Sequence, residues 1–141
     1  MQLSKNFTLA ELCASATAQA HKILNAPTSK EIDNLEALCI NVLQPLRDAY
    51  GKSIVLNSGY RCQRLNTLVG GVKNSQHTTG QAADIRCGNK TTREWIFNYI
   101  KNHLTFDQLI LEHNKVGTYW VHVSYSRTKN RKQVIGNLLK K

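Results

Sequence analysis

The sequence predicts an α+β fold in which helices pack mainly on one face of an antiparallel sheet. Two helical patterns come first along the chain, and strand-like runs interrupted by a short helical stretch and one longer helix follow them. The length of 141 residues and the 41% apolar content suit a domain with its own core. Because no internal repeat or linker is visible, we expect a single domain over residues 1–141.

The net charge of +10 limits the classes of partner. A chain this basic is attracted to polyanions, namely nucleic acid, acidic membranes or an anionic cell wall. Residues 127–141 carry six basic side chains and no acidic one, so we expect a basic, solvated tail. No aromatic-rich basic motif or recognition helix supports nucleic-acid binding. No apolar run reaches the ~20 residues that cross a bilayer, so no transmembrane segment is predicted.

The cysteines indicate the compartment of synthesis. Cys13, Cys39, Cys62 and Cys87 include no CxxC pair, which argues against a structural zinc site built from thiolates. No secretory leader opens the sequence. We therefore expect synthesis in a reducing cytoplasm and free thiols, with a Cys62–Cys87 disulfide as the alternative.

Capping signals place the first helices. Thr8 and Glu11 form a capping box before a short alanine-rich helix. Thr28 and Glu31 repeat this signal, and apolar residues at helical spacing follow as far as residue 50. Pro45 lies inside that stripe and predicts a kink, since proline cannot donate the helical hydrogen bond.

Strand patterns occupy the rest of the chain. Apolar, β-branched or alternating runs predict strands at 53–57, 82–86, 106–112 and 119–125. The last two flank a turn-rich cluster and form a hairpin. A short helix is predicted at 64–69, and a capping box of Thr91 and Glu94 predicts another at 92–104.

Three side chains have the types and number that a hydrolytic zinc site requires. His77 and Asp84 lie seven positions apart around a Thr-Thr-Gly turn, and His122 faces away from two valines on its strand. Such a site uses three protein ligands and leaves one position open for water. Strand pairing would bring Asp84 beside His122. The alternative for His122 is a histidine at the edge of the core that is satisfied by a hydrogen bond.

The residues around this predicted site form an extended motif. It runs Ser75-x-His77-x-x-Gly80-x-Ala82-x-Asp84, with Ser58-Gly-Tyr-Arg61 before it and Trp120-Val-His122-Val-Ser124 after it. The motif resembles the zinc D-alanyl-D-alanine carboxypeptidase family, which includes phage L-alanyl-D-glutamate endolysins. The resemblance covers roughly residues 7–125. It implies a hedgehog/D-Ala-D-Ala-peptidase-like fold, a Zn²⁺ ion held by His77, Asp84 and His122, and bacterial peptidoglycan as the substrate.

The same resemblance implies roles for further residues. Arg61 would contact the substrate or stabilise the developing oxyanion, a role that suits a guanidinium. Ser75 would bind the substrate or a metal ligand. The positions where many relatives carry the general base hold Tyr119 and Trp120, which cannot accept a proton in this way. Glu112 is therefore the predicted base, with His113 as the alternative.

Together these features predict a zinc metallopeptidase that cuts peptidoglycan stem peptides or cross-links, either as a carboxypeptidase or as an endolysin-type endopeptidase. The alternative is a cell-wall-binding module that keeps the zinc site without catalysis. Such an enzyme would act on the wall outside the cytoplasm. Either a phage lysin released through a membrane pore or a cell's own enzyme exported by another route would fit these features. We expect a monomer.

Overall fold

The computed structural model describes residues 1–140 and confirms the mixed α+β class. Its helices are α1 (Leu9–Cys13), α2 (Ala16–Ala20), α3 (Ser29–Leu38), α4 (Gln44–Tyr50), α5 (Gln63–Leu68) and α6 (Lys90–His103). Its strands are β1 (Gln2–Ser4), β2 (Phe7–Thr8), β3 (Leu56–Ser58), β4 (Ala82–Arg86), β5 (Gln108–His113), β6 (Tyr119–Ser124) and β7 (Gln133–Leu139). A π-helical turn (Cys39–Leu43) joins α3 to α4, and a 3₁₀ turn (Gln76–Thr79) precedes β4.

The main sheet has five strands in the order β3-β4-β6-β5-β7. The pairs β3–β4, β4–β6 and β6–β5 are antiparallel, whereas β7 runs parallel to β5. The expectation of an antiparallel sheet is therefore wrong at this one edge. A separate two-stranded sheet of β1 and β2 lies at the start of the chain.

The segment 127–141, expected to be a solvated basic tail, contains β7 at Gln133–Leu139. The basic residues lie only near the two ends of this segment, because residues 133–139 carry no charge. Backbone groups at the edge of a sheet need hydrogen-bond partners whatever the charge nearby, and β7 supplies them to β5. Lys141 lies outside the described residues.

The helix starts follow the sequence closely, with one correction. Capping boxes are present at Thr8 and Thr28, as predicted. The third predicted box, at Thr91 and Glu94, is wrong. Helix α6 begins earlier, because the side chain of Asn89 accepts a 2.8 Å hydrogen bond from the backbone N–H of Thr92.

The kink predicted at Pro45 takes the form of the π-helical turn. The N–H of Gln44 donates to the carbonyl of Cys39, five residues earlier, instead of the usual four. Pro45 has no N–H to donate, so a wider turn immediately before it lets the helix continue into α4.

The two faces of the sheet have different roles. Ala83 and Ile85 on β4 and Val121 and Val123 on β6 join one buried apolar cluster with leucines of α3 and isoleucines of α6. The alternate residues, including Asp84 and His122, project from the opposite face. The core thus fixes the backbone positions from which the polar face is built.

Two further observations concern membrane crossing and the cysteines. Among residues 1–140 no helix combines the length and the apolar character that a bilayer crossing requires. The four cysteines are unpaired in the structure, so the alternative Cys62–Cys87 disulfide is not formed.

Candidate metal centre

The structure brings the three predicted ligands together. Asp84 on β4 lies directly opposite His122 on β6, and both are buried. His77 is placed by the 3₁₀ turn, which Gly80 ends in the left-handed conformation (φ 77°) that favours glycine. One ligand atom from each residue lies within 4.8 Å of those of the other two.

The spacing of these atoms fits a tetrahedral metal ion. Asp84 Oδ1 lies 3.3 Å from His77 Nε2 and 3.0 Å from His122 Nδ1. Ligand atoms at about 2.0–2.1 Å from a tetrahedral zinc ion lie about 3.3 Å from one another. Two imidazoles and one carboxylate are also a donor set typical of a hydrolytic zinc site.

The protonation states favour metal binding as well. His77 Nδ1 lies 2.7 Å from the carbonyl oxygen of Gly59, which can only accept, so in the neutral ring Nδ1 carries the proton and Nε2 presents a lone pair to a metal. Burial raises the pKa of Asp84, but in the metal-free site the charge and hydrogen bonds of His77 and His122 in their protonated forms outweigh burial and hold that pKa far below its usual range. The carboxylate is therefore ionised and available as a ligand.

Arg61 lies beside the three candidate ligands and is held by three side chains. Its Nε donates to Ser58 Oγ at 2.9 Å, Nη1 to Asn66 Oδ1 at 3.1 Å and Nη2 to Asp84 Oδ2 at 3.4 Å. Burial lowers the pKa of Arg61, while Asp84 and Glu112 oppose this effect. The guanidinium keeps two N–H groups for a ligand in the cleft.

Asn66 is a site residue that the sequence analysis missed. It is 1% exposed, and besides accepting from Arg61 it donates from Nδ2 to the carbonyl of Val72 at 2.8 Å. Gly71 packs so closely that an added Cβ would overlap Asn66 Oδ1 and come within 3.0 Å of Arg61 Nη1. The Gly70-Gly71 pair that follows α5 was the available signal of this close approach.

Ser75 supports the 3₁₀ turn. Its Oγ accepts a hydrogen bond from the N–H of His77 at 3.2 Å, and its carbonyl accepts one from Thr78 Oγ1 at 2.6 Å. Ser75 also lines the cleft in front of the candidate ligands. It therefore holds the backbone of a predicted ligand in place.

Glu112 lies on the same face as His122. It pairs with Trp120 across β5 and β6, is 3% exposed, and places Oε1 4.0 Å from His122 Nδ1. Trp120 Nε1 donates to Oε1 at 2.8 Å, and Lys140 Nζ lies 3.5 Å from Oε2. The alternative base, His113, is the next residue on β5, projects from the other face and stacks on Tyr119. The structure thus places Glu112, and not His113, at the site.

The three candidate ligands open, together with Arg61, Ser75 and Glu112, into one cleft of about 520 Å³. Its walls include the candidate ligands, Arg61 and Glu112, and also Leu138 and Lys140 from the region of β7. A cleft of this volume suits a small peptide, since ligand sites usually enclose about 300–1,000 Å³.

Comparison with known proteins decides the family. A family model described as peptidase M15 matches residues 5–124, which is most of the chain. The chain belongs to the peptidase M15 family. The family predicted from the extended motif is thereby confirmed.

One curated relative of this peptidase M15 chain is the zinc D-Ala-D-Ala carboxypeptidase of Streptomyces albus G. The two are 45% identical over 49 residues, which are 34% of this chain and 19% of the relative. The chain therefore matches less than one fifth of that relative's length. Family, relative and the three converging side chains all support zinc as the metal.

Proposed function

We propose that this chain is a single zinc peptidase domain that hydrolyses peptide bonds in the stem peptides or cross-links of bacterial peptidoglycan. The observation that carries the proposal is the convergence of His77, Asp84 and His122, with Glu112 and Arg61 opening into the same cleft. The hedgehog/D-Ala-D-Ala-peptidase-like arrangement of sheet and helices is part of the proposal.

His77, Asp84 and His122 would hold the metal through Nε2, Oδ1 and Nδ1. A zinc ion bound there would polarise the peptide carbonyl and lower the pKa of the attacking water. Their burial on the sheet and the hydrogen bond from His77 to Gly59 fix the ligand directions before the metal arrives. The three protein ligands leave room for water and substrate on the cleft side.

Glu112 would act as the general base. The distance of 4.0 Å between its Oε1 and His122 Nδ1 supports this role, because a water bound to the metal would lie within reach of the carboxylate. The base takes the proton from water as the oxygen attacks the carbonyl carbon, and gives it to the leaving amine when the C–N bond breaks. During these proton transfers, the hydrogen bond from the indole of Trp120 holds the carboxylate of Glu112 in one orientation.

Arg61 would stabilise the negative charge that develops on the carbonyl oxygen. Its hydrogen bonds to Ser58, Asn66 and Asp84 fix the guanidinium before substrate binds, so little reorganisation is needed during the reaction. Ser75 would either bind substrate at the wall of the cleft or hold the backbone of His77 in place. The net charge of +10 favours association with an anionic cell wall, where we propose that the enzyme acts.

The test is the zinc content of the purified protein together with the release of new amino groups from purified peptidoglycan, with and without a chelator. The proposal expects one zinc ion per chain and amine release that stops with chelator and returns with added zinc. Bound zinc without amine release would instead favour a non-catalytic wall-binding module. Absence of zinc binding would rule out the metal site itself.

A further inference from the structure

We propose that Lys140 binds a carboxylate of the substrate on the Glu112 side of the cleft. This role rests on the peptidase function proposed above, because it places a substrate group relative to Glu112. It also adds a side chain from outside residues 5–124, the region that the family model matches.

A β-bulge directs Lys140 into the cleft. Ile110 pairs with Ile135 and Glu112 with Leu138, so β7 has one residue more than β5 between these two pairs. Asn137 in this stretch adopts a left-handed conformation with φ 65°. Successive strand residues point to opposite faces, and therefore the extra residue reverses which side chains of β7 face the cleft.

The side chains beyond the bulge show the effect. Leu138 and Lys140 line the cleft, whereas regular pairing would have turned Asn137 and Leu139 towards it. The backbone N–H of Lys140 donates to the carbonyl of His113 at 2.6 Å and so continues the pairing with β5. Bulges of this kind commonly re-aim a side chain next to an active site.

The ammonium group of Lys140 has donors to spare. Its Nζ lies 3.5 Å from Glu112 Oε2, while its side chain remains 43% exposed. An ammonium has three N–H donors, so at least two can point into the cleft. Glu112 also has its hydrogen bond from Trp120, and Lys140 is therefore not the only polar partner of that carboxylate.

The sheet order sets the direction in which a peptide could lie. Asp84 on β4, His122 on β6, Glu112 on β5 and Lys140 beside β7 follow one another across the sheet. Arg61 lies at the Asp84 end of this row. A peptide along the row would have its scissile bond between two cations, with Lys140 at the far end.

Stem peptides present the matching chemical group. They carry free carboxylates, at the terminal D-alanine and at the α-position of D-glutamate, and an ammonium binds a carboxylate through charge-assisted hydrogen bonds. Leu138 offers an apolar contact next to Lys140 that suits a small side chain. The alternative role for Lys140 is only to neutralise the buried Glu112, and the two roles predict different kinetics.

The experiment compares three synthetic stem pentapeptides as substrates of the zinc-loaded protein. One has both carboxylates free, one has the D-glutamate carboxylate amidated and one has the C-terminus amidated. The variants are Lys140→Met and Lys140→Arg. Lys129→Met, which removes an equal charge from an exposed position, is the matched control.

Amidation of one carboxylate should lower kcat/KM of the wild type by about tenfold. Lys140→Met should abolish that preference and leave the matching amide peptide almost unaffected, while Lys140→Arg and Lys129→Met keep it. If Lys140→Met slowed all three peptides by one common factor with the preference intact, Lys140 would act through Glu112 and the proposal would be overturned. A wild type indifferent to both amidations would overturn it too.

A binding measurement distinguishes failure of the Lys140 proposal from failure of the proposed peptidase function. If the wild type cleaves none of the peptides and releases no amine from purified peptidoglycan, the peptidase function fails, and calorimetric Kd values for the same peptides then decide the role of Lys140. If it cleaves only peptidoglycan, the same Kd values decide the role of Lys140. A carboxylate preference that Lys140→Met removes would support the role, and one that it leaves unchanged, or no preference at all, would overturn it.

Discussion

Trp120 donates a 2.8 Å hydrogen bond from its indole Nε1 to Oε1 of Glu112. Trp120 lies two residues before His122 on β6, and Glu112 on β5 lies directly opposite Trp120. The candidate base therefore comes from the strand next to that of His122, and the His122 strand supplies its orienting donor. This pairing explains how a chain with Tyr119 and Trp120 before the last candidate ligand can still place a carboxylate at the site.

Glu112→Gln should reduce peptide hydrolysis by at least about 100-fold, because the amide cannot accept the proton from water. The zinc content should not change, since Glu112 is not among the three candidate ligands. Initial rates of amine release and elemental analysis of the same preparation measure both effects. Glu94→Gln, on an exposed turn of α6, is the matched control, and full activity in Glu112→Gln would refute the assigned base.

Trp120→Phe should lower kcat by about tenfold with little change in KM, because a hydrogen bond to a charged group contributes roughly 1.5–3 kcal/mol. The aromatic ring stays in place, so the loss reports on the indole N–H. Trp95→Phe is the matched control, since Trp95 stacks on Tyr99 away from the cleft. Equal kinetics for Trp120→Phe and Trp95→Phe would show that the orientation of Glu112 does not depend on this bond.

The metal site could be predicted because its signals are local. His77, Gly80 and Asp84 lie in one short motif, and strand alternation was enough to separate His122 from its valine neighbours. The position of Glu112 near the site could be predicted from the hairpin that joins β5 to β6. The turn of this hairpin sets which residue of β5 lies closest to His122 along the sheet. Short turns fix strand register, so the pairing of β5 with β6 depends mainly on residues that are close in sequence.

Gly71→Ala should lower kcat/KM between about tenfold and 100-fold, because small displacements of a positioned catalytic group are costly. The new methyl group would displace Asn66 and with it the guanidinium of Arg61. Zinc content should stay the same. Gly88→Ala is the control, since nothing lies within 4 Å of a Cβ at that position. Unchanged kinetics in Gly71→Ala would exclude this support for Arg61.

The stability of the folded protein should depend on pH through Asp107. Arg131 donates from Nε to Oδ1 at 2.8 Å and from Nη2 to Oδ2 at 2.9 Å. These hydrogen bonds, opposed by burial, lower the pKa of Asp107 from 3.8 to about 2. A lowered folded-state pKa stabilises the fold at pH values above the ordinary pKa, and that contribution is lost as the pH falls towards the folded-state value.

The measurement is the unfolding temperature of metal-free wild type and Asp107→Asn between pH 7 and pH 2. The difference between them should be largest at neutral pH and shrink from about pH 4 downward. The exposed Asp33→Asn serves as control. A difference that stays constant over the whole range would mean that the ion pair with Arg131 adds nothing to stability.

Other parts of the site depend on contacts that no local pattern records. Asn66 supports Arg61 through a buried packing arrangement with Gly71, which the local sequence does not reveal. The residues of β7 carry no charge, yet they lie within a basic segment, and the strand forms because the edge of β5 offers backbone partners. The bulge that directs Lys140 into the cleft is a matter of register, which only the assembled sheet reveals.

The central claim is that the centre formed by His77, Asp84 and His122 hydrolyses peptide bonds when zinc is bound. It is tested most directly by adding zinc stepwise to metal-free protein and measuring the rate of amine release from purified peptidoglycan. The account predicts no activity without metal and a rate that rises linearly and levels off at one zinc ion per chain. Full activity in the metal-free protein, or no activity at one zinc ion per chain, would contradict it.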